Sequence, residues 1–243
     1  MKDLGQYMIF LGNLFVRRET FGTYFKLTIQ ECINVGYNSL LIVTIVSIFM
    51  GAVTTIQTAS NLIGPFIPNY VISLVVRDMT VLELSPTIMA IIFAGKVGSN
   101  IAGELGTMRI SEQIDALEVM GINANSYLVL PKVIACVIMY PMLVILSIFL
   151  TLWGGYLVGT VTGIISSADY LYGIRYEFIE FNITFAIIKA LVFSFLIASI
   201  SAYKGFYTYG GALEVGRAST AAVTNSCIAI LFADYLLAQL LLG

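Results

Sequence analysis

Two charged residues interrupt apolar stretches that are long enough to cross a membrane. They are the first candidates for a chemical role. Lys189 lies within residues 181–203, and Asp234 lies within residues 218–242. A charge at membrane depth costs at least ~2.5–3.5 kcal/mol, so each needs a partner or a water-filled cavity. A helical rise of ~1.5 Å per residue places both roughly 12 Å below the same surface, where they could meet.

Three further charges, Arg77, Asp78 and Glu83, approach the membrane from that same outer side. One interpretation is a structural ion pair that locks helices together. The other is a cavity whose charges bind the polar head of an amphipathic substrate, while Phe, Leu and Ile walls contact its tails. The sequence leaves both interpretations open.

Other chemistries are excluded by residue type. The chain has no histidine, so His-based triads, metal sites and proton relays are excluded. Its only Gly-Lys pair, Gly95-Lys96, lacks the first glycine and the Ser or Thr of a nucleotide-binding P-loop. The three cysteines are far apart and indicate neither a zinc site nor a disulfide framework. We expect no catalytic residue, metal site or cofactor in this chain.

The composition is that of an integral membrane protein. Of 243 residues, 59% are hydrophobic and 11% are charged, whereas soluble domains are roughly half apolar and a quarter charged. The net charge of -2 leaves no basic surface for nucleic acid. We therefore predict a single all-α transmembrane domain over residues 1–243.

Five helices of this domain should span the bilayer, each having enough apolar residues to cross about 30 Å of hydrocarbon. The predicted spans are residues 39–58, 82–102, 127–161, 181–203 and 218–242. Before them, residues 1–36 mix charged and apolar groups and predict an interfacial elbow helix. Residues 69–76 predict a short helix at the outer surface, and Pro86 should lie in the first turns of the second span.

The distribution of Lys and Arg gives the orientation. One side holds nine such residues, Lys2, Arg17, Arg18, Lys26, Lys96, Arg109, Lys132, Lys204 and Arg217. The other side holds only Arg77 and Arg175. The positive-inside rule places the first side, with the N-terminus, in the cytoplasm and the C-terminus outside.

A polar segment, residues 103–121, lies between the second and third spans, and we refer to it as the coupling segment. Ser111 should cap a short amphipathic helix that ends at Gly121. Its acidic face holds Glu112, Asp115 and Glu118, and its apolar face holds Ile114, Leu117 and Met120. Because the chain has no nucleotide site, this helix is expected to dock on a separate ATPase.

Three glycines at four-residue spacing, Gly155, Gly159 and Gly163, leave one face of the third span without side chains. Such spacing is typical of a seam where another helix packs closely.

Two long motifs extend over much of the chain. The first comprises AGKVG at 94–98, ELGTMR at 104–109, EQIDAL at 112–117, VMG at 119–121, YLV at 127–129 and PK at 131–132. The second comprises YKG at 203–205, GGA at 210–212, VGRAST at 215–220, AV at 222–223 and DY at 234–235. Both closely resemble the motifs of the MlaE-type permeases of bacterial phospholipid ABC transporters, and the likeness covers nearly the whole chain.

The resemblance implies a homodimeric permease in the bacterial inner membrane that moves glycerophospholipid between inner and outer membranes. Its implied partners are two ATPase subunits that bind ATP and Mg, a periplasmic MCE-domain ring and often a STAS-domain protein. The family's ATPase-contacting helix corresponds to Ser111, Glu112, Gln113, Asp115, Leu117, Glu118 and Met120. Its charged lipid pathway corresponds to Arg77, Asp78, Lys189 and Asp234.

The chain departs from the family pattern in places. Asn123-Ala124 replaces Asp-Pro after the coupling helix, and Lys96 and Lys132 replace arginines, which weakens bidentate phosphate contacts. Two other classes of function stay open. An ion-coupled secondary transporter would use Lys189 and Asp234 as ion sites, and a membrane scaffold would transport nothing.

Overall fold

The computed structural model describes residues 2–14, 21–62 and 68–241, and every regular element in those ranges is a helix. In chain order they are α1 (Lys2–Asn13), α2 (Gly22–Asn61), α3 (Tyr70–Ile110), α4 (Gln113–Val119), α5 (Asn125–Val161), α6 (Ser167–Arg175), α7 (Glu180–Phe206) and α8 (Ala212–Leu241). Helices α2, α3, α5, α7 and α8 are long and apolar enough to cross a membrane. The predicted all-α membrane fold with five spans is confirmed.

The prediction was wrong about where the first two spans begin. Residues 69–76 do not form a separate outer helix, because α3 runs unbroken from Tyr70 to Ile110. Similarly, residues 22–36 of the predicted elbow are the first part of α2. In both places charged residues suggested a break, but Arg77 and Glu31 have partners that allow the helix to continue. Arg17 and Arg18, which were counted on the cytoplasmic side, lie outside the described residues.

Four stretches of the spans are π-helical: Ile33–Tyr37, Thr80–Ile88, Ala94–Gly98 and Asn125–Val129. A π-turn widens the helix and shifts its hydrogen bonds by one residue, and such turns are frequent at functional sites. Pro86 therefore lies inside a helix rather than in its first turns. Pro86 has no N–H and therefore cannot donate to a backbone carbonyl of the preceding turn.

The helices group into two compact units. The first unit comprises residues 1–39, 90–140 and 191–243, and the second comprises residues 40–89 and 141–190. The boundaries fall inside helices, so each unit contains portions of several spans.

In the second unit, glycines allow α2 and α5 to pack backbone against backbone. A Cβ on Gly51 would overlap the carbonyl group of Thr151, and one on Gly154 would overlap the backbone of Ile48. A Cβ on Gly155 would lie 3.2 Å from the carbonyl oxygen of Gly51. The seam is therefore built by residues of both helices.

The predicted glycine seam is only partly correct. A Cβ on Gly159 would lie 3.4 Å from Thr55 of α2, a close contact like that of Gly155. Gly163 does not belong to the seam, because α5 ends at Val161 and no atom lies within 4 Å of a Cβ at residue 163. Its φ of +71° shows that it serves the turn after the helix.

Helix α6 lies between the third and fourth spans. Its first turn is capped by Ser166, whose Oγ accepts from the backbone N–H of Asp169 at 3.1 Å. Tyr170 is fully buried in a small core with Ala59, Ile72 and Ile165. This core holds α6 against α2 and α3 within the second unit.

In the first unit, the end of α3 packs against α7 and α8. A Cβ on Gly205 would lie 2.6 Å from the carbonyl oxygen of Ala102, and one on Gly106 would lie 3.1 Å from Val215. The connection between the fourth and fifth spans is shorter than the predicted span limits of 203 and 218 imply, because α7 continues to Phe206 and α8 begins at Ala212.

Candidate functional site

Lys189 is fully buried in α7, and both of its described acceptors are on α3. Its Nζ donates to Glu83 Oε1 at 2.8 Å and to the carbonyl of Leu82 at 2.9 Å. The ring of Phe185 lies 4.7 Å from Nζ, and the hydroxyl of Thr87 donates to Glu83 Oε2 at 3.1 Å.

The two ion-pair partners differ in exposure. The side chain of Lys189 is 0% exposed, whereas that of Glu83 is 50% exposed. A half-exposed carboxylate on an apolar span would be costly against hydrocarbon. The arrangement suits a surface that contacts water or another polar group.

Glu83 was absent from the predicted set of site residues, although the sequence predicts that it approaches the membrane from the same outer side. The available signal was a lone carboxylate in an apolar stretch, three residues before a proline that frees a backbone carbonyl. The predicted pairing of Lys189 with Asp234 stays a prediction, because Lys189 lies in the second unit and Asp234 in the first.

Arg77 is buried and contacts the C-terminal end of α6. Its guanidinium donates to the carbonyls of Ile174 and Tyr176 at 3.0 and 2.7 Å and to Asp78 Oδ1 at 2.9 Å. Its charge also lies 5.6 Å from the ring centre of Phe178. A cation favours the carbonyl end of a helix, where unpaired C=O groups carry negative charge.

These contacts give Arg77 a structural role. Its side chain is 5% exposed, while that of Asp78 is 36% exposed. Of these two members of the predicted pathway, Asp78 is therefore the more accessible.

The coupling segment differs from prediction at its start and agrees at its end. Ser111 does not cap α4, because its Oγ donates to the carbonyl of Thr107 in the last turn of α3. Glu112 precedes α4 instead, in a left-handed conformation with a φ of +58° and no side-chain cap. At the other end, Gly121 with a φ of +81° and Ile122 donate to the carbonyls of Glu118 and Leu117. This pair of bonds is a Schellman motif.

The two predicted faces of α4 are only partly separated. The acidic side chains at 112, 115 and 118 are all exposed, and Ile114 is fully buried. Met120 is 65% exposed rather than packed, since it lies in the final turn beyond the helix, and Val119 is 89% exposed. The tip of the coupling segment thus presents both carboxylates and apolar side chains.

Arg109 holds this segment to the loop after α7. Its Nη1 donates to Asp115 Oδ1 at 2.7 Å, and its charge lies 5.9 Å from the ring centre of Phe206 and 5.6 Å from that of Tyr209. Burial raises the pKa of Tyr207 in the same loop, and Tyr209 adds to the rise although Arg109 opposes it. The Tyr207 phenol therefore stays neutral at physiological pH.

A second buried lysine was not anticipated as a site. Lys132 Nζ donates to Glu31 Oε1 and to Glu104 Oε2, both at 2.7 Å, and these three residues form what we term the Lys132 cluster. The cluster joins α2, α3 and α5 within the first unit. The sequence signal was a lysine followed by a charge-free stretch of more than thirty residues. In the described residues, no group of three or more Cys, Asp or Glu side chains could hold a metal ion.

Comparisons with known proteins agree with this architecture. A family model described as "Permease MlaE" matches residues 28–240. A "Probable ABC transporter permease protein" of Rickettsia bellii is 39% identical over 218 residues, which cover 89% of this chain and 83% of that protein. A similarly named Synechocystis protein is 35% identical over 214 residues, covering 88% and 81%. An Arabidopsis thaliana chloroplast protein named TRIGALACTOSYLDIACYLGLYCEROL 1 is 34% identical over 240 residues, covering 95% and 66%.

Proposed function

The chain belongs to the MlaE permease family, and on this premise we propose that it moves glycerophospholipids between the inner and outer membranes of a bacterium. It works as the permease subunit of an ABC transporter, as the names of its Rickettsia and Synechocystis relatives suggest. The Arabidopsis relative, whose name is that of a diacylglycerol lipid, supports a lipid cargo.

The observation that carries the proposal is the ion pair of Lys189 and Glu83. A fully buried lysine holds a half-exposed carboxylate on the surface of an apolar helix. Such a surface is stable in a membrane only where water, a second protein or a polar ligand covers it. A homodimer with a cavity between its two copies supplies that cover, and the headgroup of a phospholipid supplies polar groups for it.

The same unit offers apolar surface for the acyl chains. Phe49, Val53 and Ile56 on α2 are large exposed side chains at three- and four-residue spacing, so they follow one helix face. Lys189 orients the Glu83 carboxylate, which contacts the headgroup, while apolar faces of the spans contact the tails. The protein performs no covalent chemistry on this cargo.

Energy comes from a separate ATPase that binds ATP and Mg. The coupling segment lies on the cytoplasmic side, with the N-terminus, and docks its exposed tip on that ATPase. Its carboxylates and the apolar side chains at 119 and 120 form the docking face. Arg109 transmits the motion, because it joins α4 to the end of α3 and to the loop before α8. A periplasmic MCE-domain protein receives or supplies the lipid, and a STAS-domain protein accompanies the ATPase.

Mass spectrometry of lipids that co-purify with the transporter complex tests the cargo. We expect glycerophospholipid with the native chain and at least tenfold less with Glu83→Gln or Lys189→Met. Glu214→Gln is the matched control, because Glu214 pairs with Arg217 at an exposed position. The proposal fails if no glycerophospholipid co-purifies, or if the site variants retain lipid as the control does. Activity that needs a membrane potential but no ATPase would indicate the ion-coupled alternative.

Reversal of the acidic face tests the coupling. With Glu112, Asp115 and Glu118 all changed to Lys, we expect lipid-stimulated ATP hydrolysis to be lost while bound lipid is retained. Normal lipid-stimulated hydrolysis in this triple variant would contradict the assigned docking face.

A further inference from the structure

The first unit contains a cavity with a volume of about 200 Å³, lined by both apolar and charged side chains. It lies where two π-helical stretches face each other, Ile33–Tyr37 of α2 and Ala94–Gly98 of α3. A single water needs only about 10–15 Å³ of such a volume, so the cavity has room for a larger polar group. Its lining includes four charged side chains and three asparagines.

One side of the cavity has a net negative charge. Lys132 is 4% exposed and is shared by two carboxylates, which leaves the Lys132 cluster with one excess negative charge. Each carboxylate uses one oxygen for the lysine. The second oxygens, Glu31 Oε2 and Glu104 Oε1, have no partner in the part of the chain that the structure describes. These oxygens can accept hydrogen bonds from a cation.

The other side has a positive charge. Lys96 Nζ donates to the backbone carbonyl of Asn38, which satisfies one of its hydrogens and leaves its charge in place. No carboxylate among the described residues forms an ion pair with Lys96. An ammonium group that lacks a counter-ion inside a polar cavity favours an anion.

Ser39 provides an independent indication of a ligand. It lines this cavity and is 2% exposed, and its Oγ has no hydrogen-bond partner within the described residues. A buried hydroxyl without a partner costs about 1–3 kcal/mol, so it is expected to bond something that enters the cavity. A ligand with a polar atom near Ser39 would satisfy this hydroxyl, and a phosphate oxygen could do so by accepting its hydrogen bond.

We propose that this cavity binds the zwitterionic headgroup of an ethanolamine phospholipid, with the phosphate at Lys96 and Ser39 and the ammonium at the second oxygens of Glu31 and Glu104. The inference deepens the proposed function, on which it rests, by giving the lipid a headgroup class and a second binding place. The two opposite charge centres match a zwitterion. A glycerol headgroup would bring a phosphate without a cation for the carboxylates, and a choline headgroup has no N–H to donate.

Native mass spectrometry of the full-length chain with an equal mixture of phosphatidylethanolamine, phosphatidylcholine and phosphatidylglycerol tests this site. We expect ethanolamine lipid to be retained about tenfold more than glycerol lipid, as expected for charge-assisted hydrogen bonds. Lys96→Ala should abolish that preference, and Lys96→Arg should keep it. Lys204→Ala is the matched control, a lysine of the same unit that does not line the cavity.

Three results would overturn the inference. They are equal retention of the three lipids by the native chain, an unchanged preference in Lys96→Ala, and displacement of the lipid by free phosphoethanolamine at equal concentration. The last result would assign the cavity to a soluble compound. These three results concern only the cavity. The proposed function is tested by the dependence of lipid co-purification on Glu83 and Lys189, which none of the three results changes.

Discussion

Removal of the Arg77 guanidinium should destabilise the protein more than it impairs transport. Arg77→Met would leave two carbonyls at the end of α6 and the carboxylate of Asp78 without their donor. Loss of one partner of a buried charged network typically costs about 3–5 kcal/mol. We expect a loss of that size in the free energy of unfolding.

Two milder variants give a graded series. Arg77→Lys keeps the charge but cannot reach all three acceptors with one ammonium, so we expect a loss of about 1–2 kcal/mol. Asp78→Asn removes a partner that is one-third exposed, and it should cost at most about 1 kcal/mol. Arg175→Met is the control, because Arg175 is exposed on the same helix end, and it should change stability by less than about 0.5 kcal/mol.

Equilibrium unfolding of the purified chain in detergent micelles measures this series. Lipid transport per folded molecule should stay within about twofold of the native value in Arg77→Lys. The reasoning is refuted if Arg77→Met unfolds like the control, or if Arg77→Lys is fully stable but transports no lipid. The second result would indicate that Arg77 acts in the lipid pathway, as the sequence predicted.

Five further substitutions have expected outcomes in the same unfolding assay. Ile114→Ala should cost about 2–5 kcal/mol because the side chain is fully buried, whereas Val119→Ala should leave stability unchanged and lower ATPase activity in the complex. Glu112→Gly should stabilise the chain by about 0.5–1 kcal/mol, since its φ of +58° suits glycine. Gly51→Ala should lower the free energy of unfolding by about 1–3 kcal/mol or prevent folding, because its Cβ would overlap a neighbouring backbone. Gly95→Ala should raise the free energy of unfolding, because no atom lies within 4 Å of a Cβ at that position. A change in the free energy of unfolding opposite to the one expected would contradict the described packing.

The number and type of the spans could be predicted because they depend on apolar length alone. The starts of the first two spans could not, since Glu31 and Arg77 acquire their partners only in the folded chain. A charge in sequence marks a helix end only where nothing in the fold neutralises it. The same limit applies to Ser111, which bonds back to its own helix rather than capping the next.

The candidate site was predicted in part. Depth in the membrane identified Lys189, yet its carboxylate partner lies 106 residues away on another span. Register between helices decides which charges meet, and periodicity within one helix does not contain that information. Lys132 was known only as a departure from a family motif, and its two partners are 28 and 101 residues away.

ATP-driven transfer of phospholipid by the reconstituted transporter tests the central claim most directly. Donor vesicles would hold the complex and a labelled phospholipid, and the measured quantity is the ATP-dependent rate of lipid movement. A charge exchange, Glu83→Lys with Lys189→Glu, preserves an ion pair but reverses the exposed charge. The account predicts transfer by the native complex and at least a tenfold lower rate after the exchange. Equal rates, or no ATP-dependent transfer by the native complex, would contradict it.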